Sequence, residues 1–240
     1  MSDAAELKAG DGGESLIGSI VKFTMSSVGS KIVMAATGLG LWVFVMGHLA
    51  GNLLAFAGRD AFNAYAATLK GNPLLLWGAR SALFLAIPLH FYFAVRSTAM
   101  NKAARPVAYA YANKTPASMA SKTMIISGLV IAAFFAYHIG HFTLRIVSVT
   151  DSLGPTGAFS PYDMLIQGFR NPLIAGFYIV GQLLLSQHLS HGIYSLFQHL
   201  GLWGKRWTPF LKNASLVVGY GLCAAFISIP VSVLLGIIKP

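Results

Sequence analysis

Five apolar runs, at about residues 31–56, 74–96, 122–146, 172–200 and 213–238, constrain this chain more than any other feature. A helix crosses the roughly 30 Å hydrocarbon core of a bilayer with about 20 apolar residues, and each run reaches that length. Inside lipid a segment must satisfy its own backbone hydrogen bonds, so five such runs imply an all-α membrane protein, a five-transmembrane-helix bundle. Composition agrees: 55% of the 240 residues are hydrophobic and only 10% charged, against about 25% charged in a soluble domain. The seven acids, Asp3, Glu6, Asp11, Glu14, Asp60, Asp151 and Asp163, all fall outside the runs.

Local signals sharpen the boundaries. Asn72-Pro73 and Asn171-Pro172 place proline at the start of the second and fourth runs, where its missing N–H costs little. Pro88 and Pro230 lie inside runs and predict kinks. Residues 16–27, with Leu16, Ile17, Ile20, Val21 and Phe23 around Lys22, predict a short interfacial helix. Residues 1–15 lack the basic start and apolar core of a secretory signal and read as a flexible cytoplasmic arm. The expected organisation is an arm and interfacial segment over 1–26, then one five-helix domain over 27–240. No internal repeat is evident, and the connections of about 15–25 residues leave no room for a further domain.

The net charge of +10 does not mean nucleic acid, because the bases sit in short segments at the ends of the apolar runs. With the N-terminus inside, eleven Lys and Arg fall on the inner side and six on the outer. That bias places the N-terminus in the cytoplasm and the C-terminus outside. The one cysteine, Cys223, excludes an internal disulfide and a cysteine-ligated iron–sulfur cluster. No Cys-x-x-Cys-His occurs, so any haem is held non-covalently.

Four runs carry histidine. His48 lies 17 residues after Lys31 and His90 lies 17 after Pro73, while His138 and His188 lie 16 after Lys122 and Pro172. At 1.5 Å per residue each sits roughly 25 Å along its helix. Successive helices alternate in direction, so His48 and His138 share one depth, in the outer half, and His90 and His188 another, in the inner half. Two pairs at two depths are what two bis-histidine haems require. Gly47 and Gly51 near His48, Gly140 after His138 and Gly192 one turn beyond His188 would let helices approach a flat ring. Two other readings compete. Intramembrane histidines also bridge helices by hydrogen bonds, and His138/His141 and His188/His191 have the i, i+3 spacing of a di-metal site. Such sites also need inward carboxylates, and no run holds one. Depth alone does not separate His138 from His141.

Ordered motifs do. Lys31-Ile-Val-Met-Ala-Ala-Thr-Gly38 followed by Gly47-His48-Leu-Ala-Gly-Asn-Leu53 resembles the first helix of the cytochrome b subunit of succinate dehydrogenase/fumarate reductase. Phe62-Asn-Ala-Tyr65, Asn101-Lys-Ala-Ala-Arg-Pro106 with Tyr109, and Ser121-Lys-Thr-Met124 with Gly128 resemble its single-subunit, dihaem branch (type B, b558-like). So does His188-Leu-Ser-His-Gly192 with Ser195 and Leu200-Gly201. The resemblance covers about residues 27–204. It implies ligands on the first four helices, each ligand of the third and fourth followed by an apolar residue, which selects His138 and His188. It also implies two haem b groups and a quinone, menaquinone in this branch, bound near the outer end. Partners would be a flavoprotein and an iron–sulfur subunit that carry the succinate or fumarate chemistry, with a higher oligomer of the complex compatible. The setting would be the cytoplasmic (inner) membrane of a bacterium.

Some relatives carry a membrane-embedded glutamate just before the fourth-helix ligand; Ser186 and Gln187 stand there instead, which removes a carboxylate relay through the bilayer. No catalytic acid or nucleophile is expected on this chain. Quinone needs a proton source by an aromatic pocket, and the candidates lie at the outer ends: Asp60 with Tyr65, or Asp151 and Asp163. The inner basic face, with Lys102, Arg105, Lys114, Lys122, Lys205 and Arg206, suits an acidic partner or anionic lipid. Remaining alternatives are the dihaem anchor of a hydrogenase, formate dehydrogenase or nitrate reductase, and a non-redox transporter.

Overall fold

The computed structural model describes residues 15–104, 119–147, 153–202 and 204–240, with the side chains of 119–122 excepted. The arm over 1–14, Arg105, Pro106, Tyr109, Lys114, Asp151 and the side chains of Ser121 and Lys122 lie outside the described residues.

Among the described residues eight helices follow in order: α1 (Leu16–Thr24), α2 (Ser27–Leu53, continued by a 3-10 turn Leu54–Ala57), α3 (Arg59–Gly71) and α4 (Pro73–Ala103). Then come α5 (Met119–His138, continued by a π turn Ile139–Thr143), α6 (Pro161–Arg170), α7 (Pro172–His199) and α8 (Thr208–Leu234). Five of them are long and apolar enough to cross a membrane, and these are the five expected spans: α2, α4, α5, α7 and α8. The starts of α2, α4 and α7 are capped by side chains. Ser26 Oγ accepts from Gly29 N at 3.0 Å, Asn72 Oδ1 from Leu75 N at 3.0 Å, and Asn171 Oδ1 from Leu173 N at 3.0 Å. Prolines 73 and 172 occupy the first turns of α4 and α7, and α4 and α8 run on through Pro88 and Pro230.

A helix, α1, forms over the segment expected to lie at the interface, and Leu16 and Ile17 are exposed on it. The connections between spans hold more than loops. α3 joins the first span to the second and α6 joins the third to the fourth, and both are short, strongly amphipathic helices at the same end of the bundle. They pack on each other, and α6 also packs on α7 and α8. The tightest core lies there: Tyr162, Leu165, Ile166 and Phe169 of α6 close over Ala175 and Tyr178 of α7 and Ile229 and Val233 of α8.

Along the bundle α7 and α8 make the longest shared seam. A Cβ at Gly219 would lie 2.8 Å from Ser190 N and 3.2 Å from Ser186 O. Ser186, Ser190, Ser215 and Gly219 are all buried, so small residues one turn apart let the two backbones meet.

Candidate functional site: two opposed histidine pairs

The first and third spans bring His48 against His138, with ring centroids 5.7 Å apart and planes at 83°. The second and fourth bring His90 against His188, at 6.4 Å and 68°. Two imidazoles on one metal, each nitrogen about 2 Å from it, place their ring centres about 6 Å apart. Both pairs therefore fit axial ligation of a single ion from opposite sides. Neither pair has a third donor among the described residues, which suits an iron whose other four positions belong to a macrocycle.

The pairs sit at different depths. Thr37 Oγ1 lies 3.3 Å from His90 Nδ1, and His48 lies eleven residues further along the same helix. Ser127 Oγ lies 3.1 Å from His188 Nδ1, and His138 again lies eleven residues on. Eleven residues rise roughly 16 Å, so the two levels are well separated.

These contacts expose a repeat that reading the sequence missed. Thr37-Gly38 and Ser127-Gly128 stand at the same offset before His48 and His138, and each serves the histidine of the following span. A Cβ at Gly38 would lie 3.1 Å from His90 Cε1, and one at Gly128 3.6 Å from His188 Cε1. Each half of the bundle thus runs span, short amphipathic helix, Asn-Pro, span. The signal is two small residues in a long apolar run, too sparse to notice before their contacts are seen.

Hydrogen bonding sets the tautomers of His90 and His188. Ser127 Oγ donates its one proton to the Met124 carbonyl at 3.0 Å, so it can only accept from His188 Nδ1. Thr37 Oγ1 likewise donates to the Val33 carbonyl at 2.8 Å, and His90 Nδ1 donates to the Met34 carbonyl at 3.1 Å. Protons on both Nδ1 atoms leave both Nε2 lone pairs free to coordinate. At the other level His138 Nδ1 lies 3.4 Å from Tyr178 Oη. His48 stacks on Phe44 at 5.6 Å, and Asn52 Nδ2 donates to its backbone carbonyl at 2.7 Å. His141 faces no histidine; it is buried beneath α6, with Nδ1 3.1 Å from Tyr178 Oη.

The glycines divide. Gly47 and Gly192 face open space, whereas the room at Gly51 is taken by the Tyr65 ring and that at Gly140 by Val147. Gly38 and Gly128 are the glycines that make room for the rings of His90 and His188. Phe134 stacks on His138 at 6.3 Å and itself lies where a Cβ on Gly181 would be, at 2.5 Å.

Of the acids near α3 and α6, Asp60 is exposed in the first turn of α3. Tyr65 is 38% exposed and rests on Gly51, three residues from His48. Asp163 behaves differently. Its side chain is 4% exposed and takes a bidentate bond from Arg59, at 2.8 Å from Nη2 and 3.0 Å from Nε. The Arg59 guanidinium holds that carboxyl below the usual carboxylate range. Asn63 completes the link between α3 and α6, donating to Ser160 Oγ at 2.9 Å and accepting from Tyr162 N at 3.0 Å. Tyr162 Oη donates to the Lys239 carbonyl at 2.7 Å, tying the C-terminal end into the same network.

The chain is similar to the succinate dehydrogenase cytochrome b558 subunit of Bacillus subtilis (strain 168). Identity is 27% over 178 residues, 73% of this chain and 79% of that protein. This similarity supports the resemblance read from the ordered motifs. No family model and no solved structure matches the chain.

Proposed function

We propose that this chain is the dihaem cytochrome b anchor of a succinate:quinone oxidoreductase, holding one haem b between His48 and His138 and another between His90 and His188. The observation that carries the reading is the pairing itself: four histidines from four spans, opposed two by two at two depths. Haem b, when bound, supplies one-electron exchange at iron, and two of them at successive depths provide a route across the bilayer.

The chain's own residues supply the rest. His90 and His188 present Nε2 because Met34 O and Ser127 Oγ take up their Nδ1 protons. The lipid-facing spans keep water from the interior, and no carboxylate inside them offers protons a way through. A flavoprotein and an iron–sulfur subunit dock at the cytoplasmic end, where the basic connections lie, and menaquinone binds at the outer end under α3. Tyr65 and Asp60 are its proposed neighbours there. Asp163 has the different task of holding α6 on α3, since its carboxylate is committed to Arg59.

Haem quantification on the purified complex, with a dithionite-reduced spectrum, tests the reading. Two low-spin b-type haems per chain are expected, because both axial ligands are imidazole. One haem per chain, or a high-spin ferric signal from intact protein, overturns it.

A further inference from the structure

Tyr178 is where the two histidines at the end of α5 meet. Its hydroxyl lies 3.1 Å from His141 Nδ1 and 3.4 Å from His138 Nδ1. The side chain is almost fully buried, and Phe134, Phe142 and Phe169 surround its ring at 5.2, 5.7 and 5.0 Å. Among the described residues the two imidazoles are the hydroxyl's polar partners. The helix changes to a π turn directly after His138, and His141 falls within that turn; such turns recur at functional sites. His141 is pressed under α6, where a Cβ at Gly168 would lie 3.0 Å from its ring.

We propose that Tyr178 and His141 are positioning residues for His138, the tyrosine hydroxyl accepting the His138 Nδ1 proton and donating its own to His141 Nδ1. The inference rests on the dihaem reading. Proton counting assigns the direction. One phenol oxygen between two Nδ1 atoms has a single proton, so one imidazole gives and the other receives. His138 must give, because a protonated Nδ1 is what leaves Nε2 free to coordinate. His141 then receives at Nδ1 and carries its proton on Nε2, on the ring edge under α6. An accepted Nδ1 proton orients the ligand and makes it more basic, which favours ferric over ferrous iron. The inner pair depends on Met34 and Ser127 for the same purpose, so this device acts on one level only.

The test uses membranes carrying the assembled complex and compares redox titrations and ferric spin-resonance spectra. The transition belonging to the His48/His138 level is the one missing from a His48→Leu variant. Tyr178→Phe keeps the ring and loses the hydroxyl. It should retain both haems and shift that transition toward easier reduction, the equilibrium constant changing about two- to ten-fold, with the other transition unmoved. His141→Leu should move the same transition in the same direction, and His141→Gln, which restores an acceptor, should bring it back. If Tyr178→Phe does not retain the haem, the two His141 variants decide: a shift with leucine and recovery with glutamine support the inference, and identical titrations overturn it. Unchanged or equally shifted transitions in Tyr178→Phe also overturn it. A wild-type complex without two haems would instead overturn the dihaem reading, and this inference with it.

Discussion

A histidine that binds iron through one nitrogen must place the proton of the other, and single hydroxyls and carbonyls stand where they would do so for the proposed ligands. Ser127→Ala would leave His188 Nδ1 facing an alanine methyl, at a cost of about 1–3 kcal/mol for an unpaired buried donor. Loss of such a partner typically weakens metal retention about 10- to 100-fold. The expected result is selective depletion of one of two spectral components, measured as haem per chain after detergent dilution. Asp163 makes a second case at this scale. Its carboxyl is held low by Arg59, so the pair's contribution to stability is complete above the ordinary carboxylate pKa. That contribution disappears as pH falls through the lowered value. Wild type should therefore loosen between α3 and α6 only in acid. Asp163→Asn should be looser already at neutral pH and lack the acid step, as read by protease cleavage near residues 58–72 across a pH series.

Helix contacts set the next level. The α7–α8 seam depends on the missing side chain at Gly219, whose Cβ would strike backbone rather than a flexible side chain. Gly219→Leu should push α8 off α7 and destabilise the bundle by about 1–3 kcal/mol. A lowered aggregation temperature in detergent would show it, with the His90/His188 spectrum less affected than stability, since α8 carries no ligand. Gly51 works between elements too: it seats Tyr65 of α3 against α2, close to His48. α3 and α6 thus form a cap tied by Arg59, Asn63, Ser160, Tyr162 and Asp163, directly over the Tyr178–His141 cluster.

At the scale of the whole molecule, two histidine levels about 16 Å apart along the helices and spans without a single acid have a consequence for energy coupling. On the proposed reading, with succinate oxidised at the inner face and quinone reduced beneath the α3–α6 cap, charge would cross most of the membrane. Protons for that quinone would come from outside, because the spans hold no acid. Each electron carried outward across an inside-negative potential of 100 mV gains about 2.3 kcal/mol. Quinone reduction by succinate should therefore be voltage-coupled, slowed when an uncoupler dissipates a supporting potential. Complex sealed in liposomes with a voltage-sensitive dye would register the charge movement; electroneutral turnover would contradict the outer quinone site.

Much of this was legible without coordinates. Lipid admits only segments that satisfy their own backbone, so five long apolar runs could only become five helices. A fixed rise per residue makes depth a matter of counting, which is why His48/His138 and His90/His188 could be matched in advance. Counting along an axis says nothing about direction around it. Depth did not separate His138 from His141; the fold does, turning one toward His48 and the other toward Tyr178 and α6. Nor did sequence reveal α3 and α6, because short amphipathic helices gain their stability from the surface they cover. The role of Asp163 was equally hidden, since its partner Arg59 is 104 residues away. Periodicity and hydrophobicity act along the chain and determined the spans; partners are chosen across it, and only packing decided which imidazole, carboxylate and glycine would meet.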